Sequence, residues 1–291
     1  MSTTRWYSSL EHRVKSSLIR RTYWAVAKRQ TLISSQREEG FYRNLLVGLQ
    51  HDDLIFDVGA NQGAKTDVFL RLGARVVAVE PDDACQQILR DRFLRYRLKP
   101  CPVTLIGKAV SNKIGTEKMW IDGPGSAVNT ISRKWADRLK EDKESFKYGH
   151  CGLEFSSSKP VETTTVEHLV NLHGVPFFVK IDVEGHELSV LLGMRRPVPY
   201  LSFEVNLRTF RHEGIECVRV LSRLQADGRF NYTPDCCSGL ILRKWLSSEE
   251  FCAVIDSCSD ETIEVFWRSN CSLVRPSNTG LKESLSQGDR T

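Results

Sequence analysis

Short apolar runs alternate along this chain with longer stretches in which apolar positions return every three or four residues. "LIFDVG" at 54, "RVVAVEP" at 75 and "VTLIGKAVS" at 103 are strand-sized, and residues 64–72 and 85–96 between them carry helical spacing. β-rich runs separated by helices predict βαβ units and a parallel sheet. Residues 112–160 break the rhythm with "KMWIDGPGSAVNTI" and the charged "SRKWADRLKEDKESFKYGH", which reads as an insertion over one end of the sheet. It resumes with a helix over 165–171, "FFVKIDVEGHEL" at 177, a helix over 187–193, "YLSFEVN" at 200, a helix over 215–225 and "TIEVFWR" at 262.

Outside this pattern lie the two ends. In residues 8–30 the larger apolar residues Leu10, Val14, Leu18, Ile19, Tyr23 and Val26 recur between basic ones, the pattern of an amphipathic helix. Residues 1–50 hold nine Lys/Arg against three Asp/Glu, so the net charge of +5 belongs to this extension. Packing on the main domain with a solvated basic face is the favoured use. Peripheral contact with an anionic membrane through residues 8–30 is the other. Three parts are expected: an extension over 1–50, a domain over 51–275 carrying the insertion, and a loose tail over 276–291.

Composition narrows the class. With 41% hydrophobic and 26% charged residues the chain suits a soluble globular fold, and no apolar run approaches the roughly 18 residues of a membrane span. "MSTTRWYSSLEHRVKSS" has no apolar signal region, so a cytoplasmic location is expected. Nine cysteines, an odd number with no C-x-x-C pair, predict reduced thiols rather than a disulfide scaffold or a structural zinc site.

The candidate chemistry begins with "DVGANQG", which ends the first strand and opens a helix. Gly59 and Gly63 permit a tight turn and close approach to a ligand. Glu80 closes the second strand, seventeen residues after Gly63, where an acid can receive both hydroxyls of a ribose. Asp57 would oppose a pyrophosphate but suits a ligand bearing an ammonium and a sulfonium. This charge logic favours S-adenosylmethionine over NAD.

Together with "FFVKIDVEGHE" followed by "LSFEVN", the constellation resembles class I methyltransferases and, within them, the FkbM-type family of S-adenosylmethionine-dependent methyltransferases, over residues 53–206 and onward to 268. The resemblance implies a Rossmann-like, doubly wound, seven-stranded and mostly parallel sheet, here with an amino-terminal helical extension. It also implies methyl transfer to a hydroxyl on a sugar, glycolipid or secondary metabolite, the acceptor being a small molecule, glycan or glycolipid. Carboxyl- or N-methylation of a small molecule or peptide, or an inactive S-adenosylmethionine-binding module, are the alternatives. By the resemblance Asp57, Gly59, Asn61 and Gly63 contact the methionine part of the cofactor, Glu80 its ribose, and Ala109 and Val110, at the end of the third strand, its adenine.

Ligands of open α/β sheets bind beyond the carboxyl ends of the strands. Asp182, Glu184, His186 and Glu187 stand there on the fourth strand, Glu204 and Asn206 on the fifth. His186 is the expected general base, with Asp182 and Glu204 positioning the acceptor or the imidazole. The bland alternative makes His186 a cap and lets Glu184 and Glu187 answer a helix dipole. A rival set of magnesium ligands, Asp182, Glu204 and Asn206, is disfavoured because Val205 separates the last two, so no metal is expected. "DGPGSAVNTI" could close over the acceptor. No Asn/Asp-Pro-Pro-aromatic motif is present, which argues against a nucleic-acid acceptor.

Overall fold

The structure is a computed structural model that describes residues 35–97, 102–141, 153 and 155–271. The expected helix over 8–30 and the tail over 276–291 lie outside the described residues. In chain order the elements are α1 (35–45), β1 (Leu54–Val58), α2 (Ala64–Arg71), β2 (Arg75–Val79), α3 (Asp83–Arg92), α4 (Leu94–Arg97), β3 (Val103–Ile106), β4 (Ala109–Val110), β5 (Gly115–Ile121), α5 (Arg133–Glu141), β6 (Ser157–Thr164), α6 (Val166–His173), β7 (Phe178–Ile181), α7 (Glu187–Leu192), β8 (Tyr200–Asn206), α8 (Leu207–Leu224), β9 (Arg229–Thr233), α9 (Ser248–Ser257) and β10 (Thr262–Arg268).

Every residue of β1 and β7 is buried, so these strands must be covered on both faces, and they lie at the centre of the sheet. The order is β3-β2-β1-β7-β8-β10-β9, and β10 runs antiparallel to both neighbours. This is the seven-stranded, mostly parallel, Rossmann-like arrangement. One face packs Tyr42, Phe69, Phe178 and Phe266 under α1 and α2. The other packs Val179, Ile181, Phe203 and Val265 under α6, α7, α8 and α9. Each fully buried aromatic or branched side chain contributes about 1.5–3 kcal/mol. α9 begins with a capping box, the Ser247 hydroxyl and the Glu250 carboxylate each bonding the other's backbone N–H.

Three features depart from the expected pattern. The single strand expected at 103 is two: β3 ends the main sheet, and β4 leaves for a second sheet of order β4-β6-β5. The turn between them passes α3 at Gly107, where a Cβ would fall 2.6 Å from Gln86 Oε1. Residues 112–160 are more than a loop, because β5 pairs antiparallel with β6 from Gly115↔Thr163 to Ile121↔Ser157. β9 and α9, within 226–261, were not foreseen. Among the described residues no helix is long and apolar enough to cross a membrane.

Candidate active site

The carboxyl ends of β1, β2 and β7 open into a cleft of about 670 Å³. Gly59, Asn61 and Glu80 line one side and Asp182, Val183 and Glu184 the other. Ala109, Val110 and Met119 add an apolar wall, and Ser126, Asn129 and Thr130 of the insertion complete it. The insertion is fastened there by Asn129 Nδ2, which donates to Asp82 Oδ2 at 2.9 Å, and by Thr130 Oγ1, which donates to the Glu184 carbonyl at 2.7 Å.

"DVGANQG" divides its residues between ligand space and scaffold. Gly59 lines the cleft with φ +80°, and a Cβ there would sit 1.7 Å from the Asp182 carbonyl oxygen, so the two loops meet backbone to backbone. Asn61 N donates to Glu80 Oε2 and Asp82 N to Glu80 Oε1, both at 2.8 Å. Glu80 is thereby held at the end of β2 facing the cleft, and burial pushes its pKa up to about 7 against those bonds. Ala109 and Val110 also line the cleft, but from β4 rather than from the third strand end. Gly63 and Asp57 do not line it. Gly63, at φ +81°, caps α2 and passes so close to α3 that a Cβ would lie 2.5 Å from the Phe93 ring. Asp57 is fully buried; its Oδ2 accepts from Thr66 Oγ1 at 2.5 Å and its Oδ1 has no hydrogen-bond partner among the described residues. Burial raises its pKa against the pull of Lys180 and Thr66. Both residues, expected at the cofactor, stand behind the cleft rather than in its lining.

In "FFVKIDVEGHEL" the decisive residue is one the sequence reading passed over. Lys180, 2% exposed, donates to Asp182 Oδ2 at 2.7 Å. Burial disfavours its ammonium, but Asp182, Glu264 and Asp57 outweigh that and raise its pKa. Asp182 is a third exposed, and although burial works against its charge, Lys180 holds its carboxyl below the usual range. Glu187 Oε1 accepts from Val183 N at 3.1 Å and Gly185 N at 3.2 Å, clamping its own loop. Glu184 Oε2 accepts from Trp135 Nε1 of α5 at 2.9 Å.

His186 does not line the cleft. As N-cap residue of α7 it places Nε2 3.0 Å from Ser111 Oγ and 3.9 Å from Glu117 Oε2. The Ser111 hydroxyl already donates to Glu117 Oε1, so the Nε2–H is the donor to Ser111. Burial lowers the pKa of His186 despite Glu117. The structure therefore ties the expected base to the second sheet.

Glu204 lies beside Asp182 and Glu184, one oxygen of each falling within 4.8 Å of the others. Burial, then Asp182 and Glu184, raise the Glu204 pKa well above the carboxylate range. Asn206 is spent as the cap of α8, its Oδ1 accepting from Thr209 N at 3.1 Å and its Nδ2 donating to Thr262 Oγ1 at 3.4 Å. The rival metal set Asp182, Glu204 and Asn206 is thus not assembled. In the trio Asp182, Glu184 and Glu204, the Lys180 ammonium already occupies Asp182 Oδ2.

Lys180 was legible in principle, as a charge inside an apolar strand. Trp135, Asn129 and Thr130 reach the site from a segment with no local signal.

Comparison with known proteins accords with this geometry. A family model described as the methyltransferase FkbM domain matches residues 57–224, more than half of the chain. The chain belongs to this family. The matched FkbM domain is, by family, an S-adenosylmethionine-dependent methyltransferase domain. Over 50 residues the chain is 38% identical to ribosomal RNA small subunit methyltransferase A of Thermotoga petrophila, a stretch that spans 17% of this chain and 19% of that enzyme. Among solved structures, a TehB-like SAM-dependent methyltransferase from Corynebacterium glutamicum is similar at 10% identity and a TM-score of 0.40, over 84% of this chain and 96% of that one. The plantazolicin methyltransferase BpumL, in complex with a monoazolic desmethylPZN analog and SAH, is similar at 11% identity and a TM-score of 0.38, over 91% and 93%.

Proposed function

We propose that this FkbM domain transfers a methyl group from S-adenosylmethionine to a hydroxyl oxygen of a sugar, glycolipid or secondary metabolite. The observation that carries the reading is the charge of the cleft: three acids, Glu80, Asp182 and Glu184, line it against one lysine, Lys108. Such a cleft suits a cofactor with a sulfonium and opposes a pyrophosphate. Glu80, with each oxygen fixed by one backbone N–H, keeps lone pairs for ribose hydroxyls. Val79, Ala109, Val110 and Met119 offer an apolar bed for a flat base. Gly59 leaves the backbone bare where the chain of the cofactor would cross from β2 to β7.

The bound cofactor supplies an electrophilic methyl group. The residues supply position: Glu80 fixes one end and Asp182, held ionised by Lys180, faces the other. Alignment of an acceptor oxygen beyond Asp182 and Glu184 can contribute several kcal/mol.

Trp135, Phe210, Glu184 and Glu204 border a further, water-sized cavity next to the cleft. The argument from sequence against a nucleic-acid acceptor gains no support, because the 50-residue likeness is to an enzyme named for ribosomal RNA. A cytoplasmic location remains part of the proposal, with residues 8–30 packed on the domain as the favoured use and peripheral membrane contact as the alternative.

Calorimetry with S-adenosylmethionine and S-adenosylhomocysteine tests the cofactor reading, and failure of both to bind would end it. Incubation with methyl glycosides, hydroxylated lipids, peptides and small-subunit ribosomal RNA, followed by mass analysis, tests the acceptor. An alkali-stable methyl ether on a glycoside or lipid is expected; an alkali-labile ester, an N-methyl group or methylated RNA would replace the hydroxyl reading.

A further inference from the structure

Glu184 stands where two cavities meet. It lines the cofactor cleft, and it also lines a small adjoining cavity with Trp135, Glu204 and Phe210. A glutamate at φ +53° occupies a conformation that side chains with a Cβ rarely adopt. It is pinned there by Thr130 Oγ1 on its carbonyl and by Trp135 Nε1 on Oε2, while Oε1 has no hydrogen-bond partner among the described residues. The strained backbone thus presents one free carboxylate oxygen at the junction of the two cavities.

Charge around it is lopsided. Asp182 and Glu187 face it from its own loop, Glu204 from β8 and Lys180 from β7, with Glu264 of β10 and Asp57 of β1 beyond Lys180. α5 presents only the neutral indole, since its Lys134 pairs with Glu213, and Lys65 of α2 is taken by Glu38 at 2.6 Å. Three carboxylates within 4.8 Å share one ammonium, and that ammonium donates to Asp182. Like charges this close cannot all ionise: Glu204 keeps a proton where it bonds Asp182, and Glu184, buried against the Asp182 charge, is disfavoured as an anion as well. Burial, then Asp182 and Glu187, push Glu184 up to about 8.

We propose that Glu184 exchanges one positive charge for another: it holds a proton in the cofactor-free protein, gives it up when the sulfonium of S-adenosylmethionine arrives, and takes the acceptor's hydroxyl proton during methyl transfer. This rests on the cofactor reading above. The ends of β2 and β7 are two strand spacings apart, about 10 Å, so a cofactor whose ribose is on Glu80 extends over Gly59 toward Asp182 and Glu184. In the transfer a C–O bond forms and the C–S bond breaks. The bonding pair goes to sulfur, which becomes a neutral thioether, and the hydroxyl proton goes to Glu184 Oε1. Total charge in the site is the same before and after.

The consequence is measurable without an acceptor. S-Adenosylmethionine and S-adenosylhomocysteine share their amino and carboxylate groups and differ in the sulfonium. Binding of the first should release about one proton more near pH 7 than binding of the second, whatever Glu80 exchanges on the shared ribose being common to both, and this extra release should bring a further rise in affinity with pH that levels above the Glu184 pKa. Titration calorimetry of the full chain at pH 7, in buffers of different ionisation enthalpy, counts the protons. Glu184→Gln should abolish the extra release while leaving S-adenosylhomocysteine affinity within about threefold, which also reports correct folding. Glu184→Asp should retain part of it, and His186→Gln should leave it intact. Equal proton counts for the two ligands, extra release that survives Glu184→Gln, or extra release lost in His186→Gln would each overturn the proposal. If neither ligand binds, the cofactor reading itself has failed.

Discussion

Two neighbouring strands of this sheet end in similar words, "DVGANQG" after β1 and "DVEGHE" after β7, yet their aspartates have opposite fates. The register pairs Asp57 with Lys180 and Val58 with Ile181, so Asp182 stands opposite Gly59, two residues beyond Asp57's level. At 3.3 Å per residue Asp57 lies about 6.6 Å deeper in the sheet, on the same face. There it is sealed with Thr66 and within the field of Lys180, whereas Asp182 reaches the cleft and is a third exposed. The same Asp-Val pair serves as foundation in one loop and as site in the other. What separates them is stagger between strands, and one lysine holds both in place.

The largest effect should come where the two loops touch. Gly59→Val would drive a Cβ into the Asp182 carbonyl at a left-handed position, and a loss on the order of 4 kcal/mol or more is expected in urea unfolding, with no soluble binding. A well-folded variant would mean that the loops do not meet as described. Next is Lys180→Met, which strands Asp57, Asp182 and Glu264 in the interior and should cost about 3–5 kcal/mol. Adding Asp57→Asn should return part of that loss, and strictly additive penalties would break the link through Lys180.

The aspartates themselves should then part company. Asp57→Asn is expected to cost about 1–3 kcal/mol of stability while leaving S-adenosylmethionine affinity of the folded protein within about threefold. Asp182→Asn should instead weaken that affinity about tenfold or more with a smaller loss of stability. Exchanged outcomes in calorimetry and unfolding would reverse the assignment.

A pH scan sharpens the same contrast. Glu80 and Glu187, at about 7, and Glu184, at about 8, lie above their unfolded values near 4.5. Their contribution is therefore fully present below pH 4.5 and is lost as pH rises through 7 to 8. The cofactor-free protein should melt several degrees lower at pH 8.5 than at pH 5.5, and Glu184→Gln should shrink the difference. Asp182, lowered by Lys180, acts the other way, but only below about pH 4. The smallest effect is expected from His186→Ala, about 1 kcal/mol for the Ser111 hydrogen bond with cofactor affinity unchanged.

What the sequence by itself determined was whatever depends on near neighbours: the strand spans around 54, 75, 177, 200 and 262, the helices between them, the glycine turn at 59 and the acid that closes β2. These follow from local periodicity and from turn geometry, which a few consecutive residues settle. Stagger, packing partners and side-chain direction are not local quantities. Only the tertiary structure decided that Asp57 is sealed while Asp182 is open, because that depends on how β1 registers with β7 across the 119 residues between them. The same holds for Gly63, whose neighbour is Phe93, and for His186, whose ring is held by Ser111 after β4 and by Glu117 of the insertion. Glu184 owes its place to Trp135 and Thr130, about fifty residues away, and no spacing within "DVEGHE" encodes that contact.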